Sequence, residues 1–207
     1  MKITFMGAGS TVFARNVIGD CMCSEVLRDS TFALYDIDGA RLKESQTILE
    51  AMRETMGGYG KIECYLGVEN RKEALRGANF VVNAIQVGGY DPCTIIDFEI
   101  PKKFGLRQTI ADTLGIGGIM RALRTIPVMD DFARDMAEVC PDALFLNYTN
   151  PMAMLTGICF ATHRFRQWSM PQCSGLLRDI IKGSWHGRQV GGQKRTYCRN
   201  QSYGLAS

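Results

Sequence analysis

An apolar run, Lys2-Ile3-Thr4-Phe5-Met6, stops at Gly7-Ala8-Gly9-Ser10, and a second run, Thr31-Phe32-Ala33-Leu34-Tyr35, closes on Asp36-Ile37-Asp38. No other feature of the 207 residues constrains their folding as tightly. The first run has the length and β-rich composition of a buried strand. Glycines at 7 and 9 let the backbone turn sharply and approach a diphosphate, and the helix that follows aims free N–H groups at it. An acidic residue ending the next strand is placed to accept the ribose hydroxyls of an adenosine. Together these indicate a bound dinucleotide. The Asp36 carboxylate repels a 2′-phosphate and so favours NAD over NADP, with Arg41 nearby weighing the other way.

A lone Gly-x-Gly is also an ordinary structural turn, and the third glycine of the usual fingerprint is absent, because Thr11-Val12-Phe13 occupies its neighbourhood. The cofactor reading rests on context: a strand directly before the turn, a helical stretch through Leu27 after it, and Asp36 at the expected offset.

Elements alternate as in an α/β domain over residues 1–161. The pattern predicts helices over Val12–Leu27 and Gly39–Met56, a strand at Lys61–Leu66 and a brief helix at Arg71–Leu75. Phe80–Ile85 reads as a fully buried parallel strand. A helical region follows, over Pro101–Gly105 and then Gly118–Val139, before a further strand at Ala143–Asn147. Repeats and low-complexity stretches are absent.

Eight cysteines without framework spacing suit reduced thiols of a cytoplasmic protein. Cys21-Met22-Cys23 is too tight for a usual zinc pair and is expected to face a helix or loop interior. No apolar run approaches the ~20 residues of a membrane span. A strand starting at Lys2 leaves no signal peptide to read. The net charge of +3 arises wholly from the end of the chain: residues 162–207 carry eight Lys/Arg against one acid, Asp179. Both tryptophans and both histidines lie there too, and four glycines between 183 and 192 interrupt any helical pattern. A basic surface or nucleic-acid tail is the plain account of such a segment.

Three loops at strand ends collect the polar residues: Gln86–Tyr90, Asp112–Gly118 and Asn147–Asn150. Asparagine amides donate and accept at once, which suits sugar hydroxyls, though Asn147 and Asn150 are also common turn residues. Asp112, ahead of the glycine-rich Thr113–Gly118, reads equally as a helix N-cap. Arg121 and Arg124, three apart on the helix, bind an anion or are simply solvated.

These residues resemble glycoside hydrolase family 4, and within it the α-galactosidases. The resemblance rests on Phe5–Ser10, Asp36-Ile37-Asp38, Gln86–Tyr90, Thr109–Gly115 running on to Arg121–Pro127, and Asn147–Met152, so it covers about 1–161. It implies a Rossmann-like, doubly wound parallel sheet of the lactate/malate dehydrogenase kind, with the family's second domain missing. It also implies hydrolysis by redox chemistry, an exception to the two-carboxylate scheme. NAD⁺ takes a hydride from C3 of the sugar, Mn²⁺ polarises the ketone, and a tyrosine base takes the C2 proton. The leaving group is eliminated, water adds, and the hydride returns. On this resemblance Gly7, Gly9, Ser10 and Asp36 hold the cofactor, Asn150 and Asn147 meet the sugar, and Asp112 is the acid that tunes the catalytic base. Relatives acting on 6-phosphorylated sugars carry an arginine shortly after the Gly-Gly turn. Tyr90–Ile95 has no basic residue, so a galactoside without phosphate is expected. No nucleic-acid or membrane partner is expected, and the resemblance implies a homo-oligomer.

The family's metal ligands lie in Gly-Leu-Cys-His-Ser-Val and Asn-His-Met type motifs, neither of which is present. Yet Trp168–Ser174, read one base later, permits Gly-Leu-Cys-His-Ser-Val-Gln, and the same shift at Asn200–Gly204 permits Thr-Asn-His-Met-Ala. The expectation is therefore that 1–161 is the NAD-binding domain and 162–207 is an out-of-frame, poorly packed tail. His163, Cys173, His186 and Cys198 are then not metal ligands, and the chain as written is inactive. Two further readings stand beside this one. An NAD-dependent dehydrogenase of the lactate/malate type would need a catalytic histidine with an Asp-x-x-Arg partner, which neither histidine has. A non-catalytic NAD-binding fragment needs only the N-terminal motif.

Overall fold

The computed structural model describes residues 1–109, 112–162 and 168–169. Its strands are β1 (Lys2–Met6), β2 (Thr31–Asp36), β3 (Lys61–Leu66), β4 (Phe80–Asn83), β5 (Leu144–Asn147) and β6 (Trp168–Ser169). All pair in parallel, in the order β3-β2-β1-β4-β5-β6. The chain winds outward from β1 in one direction and then returns to build the other half, so the order reverses between β1 and β4. Ligands of such sheets bind beyond the strand C-termini at this switch point.

Two apolar layers sandwich the sheet, as alternation along β1 requires. Ile3 and Phe5 pack with Ile18, Leu34, Leu49 and Val82 under α1 (Thr11–Cys23) and α2 (Gly39–Thr55). Met6 packs on the opposite face with Tyr35, Leu75, Val81, Phe132 and Phe145, under α3 (Arg71–Leu75) and α5 (Gly115–Val139). β4 is buried along its whole length, as a strand covered on both faces must be. A buried Arg71–Asp135 ion pair ties α3 to α5.

Several boundaries differ from the periodicity. α1 ends at Cys23, where Ser24 turns extended and its N–H bonds back to Cys21; the backbone of Leu27 then turns so that its side chain enters the core. β4 stops at Asn83, because the chain leaves the sheet after the Ala84 N–H bonds to the Met6 carbonyl. A helix α4 spans Ile95–Lys103, with Pro101 in its last turn, where Pro101–Gly105 alone reads as helical. α5 begins at Gly115 rather than Gly118. A Cβ on Gly118 would lie 2.7 Å from the Thr113 carbonyl carbon, so glycine inside the first turn permits a close crossing. α6 covers Met152–Thr162, and Trp168–Ser169 adds a short edge strand beside Phe145–Leu146. Cys21 is buried and Cys23 exposed; all six described cysteines are free thiols. The rest of the tail, including His163, Cys173, His186 and Cys198, lies outside the described residues.

Candidate functional site

The turn after β1 is built from backbone. Gly7 has φ +86°, and a Cβ there would lie 2.8 Å from the Ala84 carbonyl, so only glycine lets β1 leave against the outgoing β4 segment. The N–H groups of Gly7 and Ala8 both donate to the Tyr35 carbonyl. The Gly9 N–H donates to Asp36 Oδ2 at 2.6 Å, and the Asp38 N–H donates to Asp36 Oδ1 at 2.9 Å. A Cβ on Gly9 would fall 2.7 Å from that same Oδ2, so the glycine and the acid are fitted to each other. Asp36 thus sits where the sequence puts it, fixed by two amides at the tip of β2.

Helices α1 and α2 start differently. Asp38 caps α2, its Oδ1 accepting from the N–H groups of Ala40 and Arg41. Ser10 precedes α1 with no side-chain cap and no acid in the first turn, so the amides there face the glycine turn without a carboxylate partner. An uncapped helix N-terminus behind a glycine turn attracts an anion such as a diphosphate. Val12, where the third glycine of the fingerprint would stand, is 64% exposed and demands no space. Phe13 instead packs its ring 5.7 Å from Phe5 and 5.2 Å from Tyr148. Arg41 lies with its Nε 3.7 Å from Asp38.

Beyond the tips of β4 and β5 lies an open cleft of about 350 Å³, lined by Gln86, Tyr90, Thr94, Phe98, Thr109, Asp112 and Arg121. Asp112 Oδ2 accepts from Asn150 Nδ2 at 3.1 Å, and Arg121 Nε donates to the Asn150 carbonyl at 3.2 Å. Asp112, Asn150 and Arg121 therefore meet, although 38 residues separate the first two. This arrangement offers a carboxylate acceptor, an amide and a guanidinium, the mixed donor and acceptor set that polyhydroxy ligands need.

Asn147 is different. Its side chain is 0% exposed and does not line the cleft. Its Oδ1 accepts from Asn83 Nδ2 and the Thr149 N–H, and its Nδ2 donates to the Thr149 carbonyl and Thr156 Oγ1. With every amide atom engaged, Asn147 shapes the loop that carries Asn150 instead of reaching the cleft. The loop Gln86–Tyr90 does reach the cleft, but the sequence passes over Thr94 and Phe98, because the irregular turn over Gly89–Thr94 hides the start of α4. Arg124 is neither solvated nor free: its guanidinium meets the buried Asp97, and these hydrogen bonds hold it more firmly protonated than usual. Among the described residues, no group of three His, Cys, Asp or Glu side chains is close enough to hold a metal ion.

A six-stranded parallel sheet with a glycine turn and an acid at its switch point defines a Rossmann-like domain, and here it carries a polar cleft beyond the strand tips. The family model described as "Family 4 glycosyl hydrolase" matches residues 2–170, and the chain belongs to that family. The chain is similar to the α-galactosidase of Bacillus subtilis (strain 168), at 64% identity over 156 residues that cover 75% of this chain and 35% of that protein. The chain thus spans about a third of the length of the curated relatives it matches. In fold it is similar to the 6-phospho-β-glucosidase of Thermotoga maritima, solved with manganese, NAD⁺ and glucose-6-phosphate. That likeness has a TM-score of 0.71 at 22% identity, covering 88% of this chain and 42% of that one. The lactate dehydrogenase of Eimeria maxima shares the fold more distantly, with a TM-score of 0.56 at 14% identity over 89% of this chain and 48% of that one. The expected kinship of fold with lactate and malate dehydrogenases is therefore borne out.

Proposed function

We propose that this chain is the NAD⁺-holding and sugar-facing part of an α-galactosidase-type enzyme that acts on a galactoside without phosphate. One observation carries the reading: an uncapped helix N-terminus behind the Gly7–Gly9 turn, with Asp36 beside it, adjoins a cleft lined by Asp112, whose carboxylate accepts from the Asn150 amide. The likeness to an α-galactosidase at 64% identity supports the sugar.

The residues present fit a dinucleotide. The α1 N-terminus and Ser10 would face its diphosphate, and Asp36 would take the adenosine ribose hydroxyls with lone pairs left beside its two backbone donors. Arg41 pairs with Asp38, which leaves Asp36 to repel a 2′-phosphate. When bound, the nicotinamide supplies a hydride acceptor that later returns what it took. The chain's own part is to bind and orient: Asp112 and Asn150 hold sugar hydroxyls, and Asn147 fixes the Asn150 loop from beneath. A manganese site does not fit the described residues, so no step here runs through a metal. Turnover by these 207 residues alone is not expected, and the dehydrogenase reading gains nothing beyond a shared fold.

The same proposal includes a homo-oligomer in the cytoplasm; among the described residues, no helix is long and apolar enough to cross a membrane. It also keeps the out-of-frame reading of 162–207. The family match and β6 extend past the charge break, to residues 170 and 169, so the coding DNA is needed to locate any change of frame. If the shifted frame past codon 162 does not encode Gly-Leu-Cys-His-Ser-Val, that reading is lost.

The test is calorimetric titration of the chain with NAD⁺ and NADP⁺, then with methyl α-galactoside or galactose-6-phosphate in saturating NAD⁺. NAD⁺ and the neutral galactoside should bind in preference. Preference for the phosphosugar would overturn the substrate class, and absence of NAD⁺ binding would overturn the whole reading. Hydrolysis of a nitrophenyl α-galactoside by the purified chain with NAD⁺ and Mn²⁺ would refute its inactivity.

A further inference from the structure

The segment from Ala84 to Gly89 runs between the glycine turn and the cleft, and it is tied down at each step. The Ala84 N–H donates to the Met6 carbonyl at 2.9 Å, and Thr149 Oγ1 donates to the Ile85 carbonyl at 3.0 Å. Gln86 lines the cleft. The Val87 carbonyl accepts from Arg124 Nε at 3.2 Å, and the Gly89 carbonyl accepts from Thr94 Oγ1 at 3.3 Å. The same guanidinium donates from Nη1 and Nη2 to Asp97 Oδ1 and Oδ2, at 3.1 and 2.6 Å, and Asp97 is 1% exposed. Gly88, at φ +86°, makes room for this: a Cβ there would meet Cys93 Sγ and lie 3.2 Å from Arg124 Cδ. One side chain on α5 thus joins the β4–α4 loop to the helix that carries Phe98; Arg121, one turn earlier, reaches only the Asn150 carbonyl among the described residues.

Resting on the functional reading above, we propose that Arg124 is a positioning residue: spread between Val87 and Asp97, it sets where Gln86, Thr94 and Phe98 stand around the sugar. A plain ion pair would need only Asp97. The backbone contact is what distinguishes Arg124 from Arg71, whose pair with Asp135 joins α3 to α5 and touches no loop of the cleft. A planar fork suits this task because its donors point in fixed, divergent directions, whereas lysine offers one compact ammonium.

Arg124→Lys separates the two roles, with Arg71→Lys as the structural control. The lysine at 124 keeps a charge opposite Asp97 but cannot span both partners. Hydrogen exchange of the Val87, Gly88 and Gly89 amides should quicken about tenfold in Arg124→Lys, with β1, α1 and the melting temperature little changed. Affinity for methyl α-galactoside in the NAD⁺-saturated chain should fall about tenfold while NAD⁺ affinity stays within about twofold. Arg71→Lys should alter neither reading. Unchanged exchange at 87–89 overturns the proposal, as does sugar affinity that falls only in step with the melting temperature. If the parent chain binds no galactoside, the functional reading fails instead. The exchange measurement then decides alone whether Arg124 holds the segment.

Discussion

The glycine-turn cradle proposed for the cofactor and the polar cleft proposed for the sugar both lie beyond the strand tips, yet they are made of different materials. The cradle comes from residues 2–41 and works through backbone: two glycine conformations, amides on Tyr35 and Asp36, and an open helix start. The cleft gathers side chains from separate segments, Gln86 to Phe98, Thr109, Asp112 and Arg121, with Asn150 bonded to Asp112. A backbone site tolerates little change at its glycines, because strain cannot be relieved by a rotamer. A side-chain site can lose a contact and leave the fold standing.

The largest effect expected follows directly. Gly7→Val places a branched side chain at φ +86° and against the Ala84 backbone. The left-handed conformation alone costs a non-glycine residue about 1–2 kcal/mol, before the clash is counted. NAD⁺ binding should vanish, and thermal melting should drop steeply. A Gly7→Val chain that melts like the parent and still titrates with NAD⁺ would mean that the cradle is not the rigid backbone device described.

The two asparagines bring the contrast inside one loop. Asn147→Ala leaves the Thr149 N–H without its acceptor in the interior and takes one partner each from Thr156 and from Asn83, whose Nδ2 keeps Thr149 Oγ1; a buried polar group left unpaired costs about 1–3 kcal/mol. Asn150→Ala removes a part-buried contact to Asp112, and stability should move by no more than about 0.5 kcal/mol while galactoside affinity falls. Urea unfolding and galactoside titration of both variants check this. Equal stability losses would erase the distinction between the residue that shapes the loop and the one that meets the ligand.

Legibility in the sequence follows the same division. Strand, Gly-x-Gly and closing acid are local in the chain, so β1, β2 and Asp36 could be read directly, and the buried composition of Phe80–Val82 gave β4. The α4 start could not, because Asp91-Pro92 interrupts the pattern and the turn over Gly89–Thr94 has neither helical nor strand period. Asn147 and Asn150 look alike as residue types. Only the packing of Asn83 and Thr156 around the first decides which is buried, and those partners are 64 and 9 residues away. Arg121 and Arg124 were ambiguous for the same reason: the carbonyls they reach belong to other loops.

A smaller effect tests the acid in the cradle. Asp36→Ala removes the acceptor of the Gly9 N–H together with the ribose contact proposed above. Losing a charge-assisted bond of this kind costs about 1.5–3 kcal/mol, or roughly ten- to a hundredfold in NAD⁺ affinity. The cleft should feel it little, so galactoside affinity measured at saturating NAD⁺ should stay near that of the parent. Unchanged NAD⁺ affinity would remove Asp36 from the site, and a parallel loss of sugar affinity would mean that cradle and cleft are one coupled unit.

At neutral pH the least effect comes from three buried thiols, and it concerns the two layers that carry cradle and cleft. Burial pushes Cys21 and Cys159 up to about 12 and Cys140 up to about 11, from an ordinary value of 9.0. Cys21 lies in the layer under α1, and Cys140 and Cys159 lie in the layer under α5 and α6. Each folded pKa is raised, so the fold holds protons that the unfolded chain gives up once the pH passes 9.0. The stability these thiols contribute is thus complete below pH 9 and is lost as the pH rises towards their folded values. Melting temperature should be flat from pH 7 to 8.5 and fall above 9, and Cys21→Ala should soften that fall. So should the Cys140→Ala/Cys159→Ala pair, because both layers rest on one sheet and unfold with it. If only one layer's variants change the alkaline limb, the layers unfold separately, and the cradle is stable apart from the cleft.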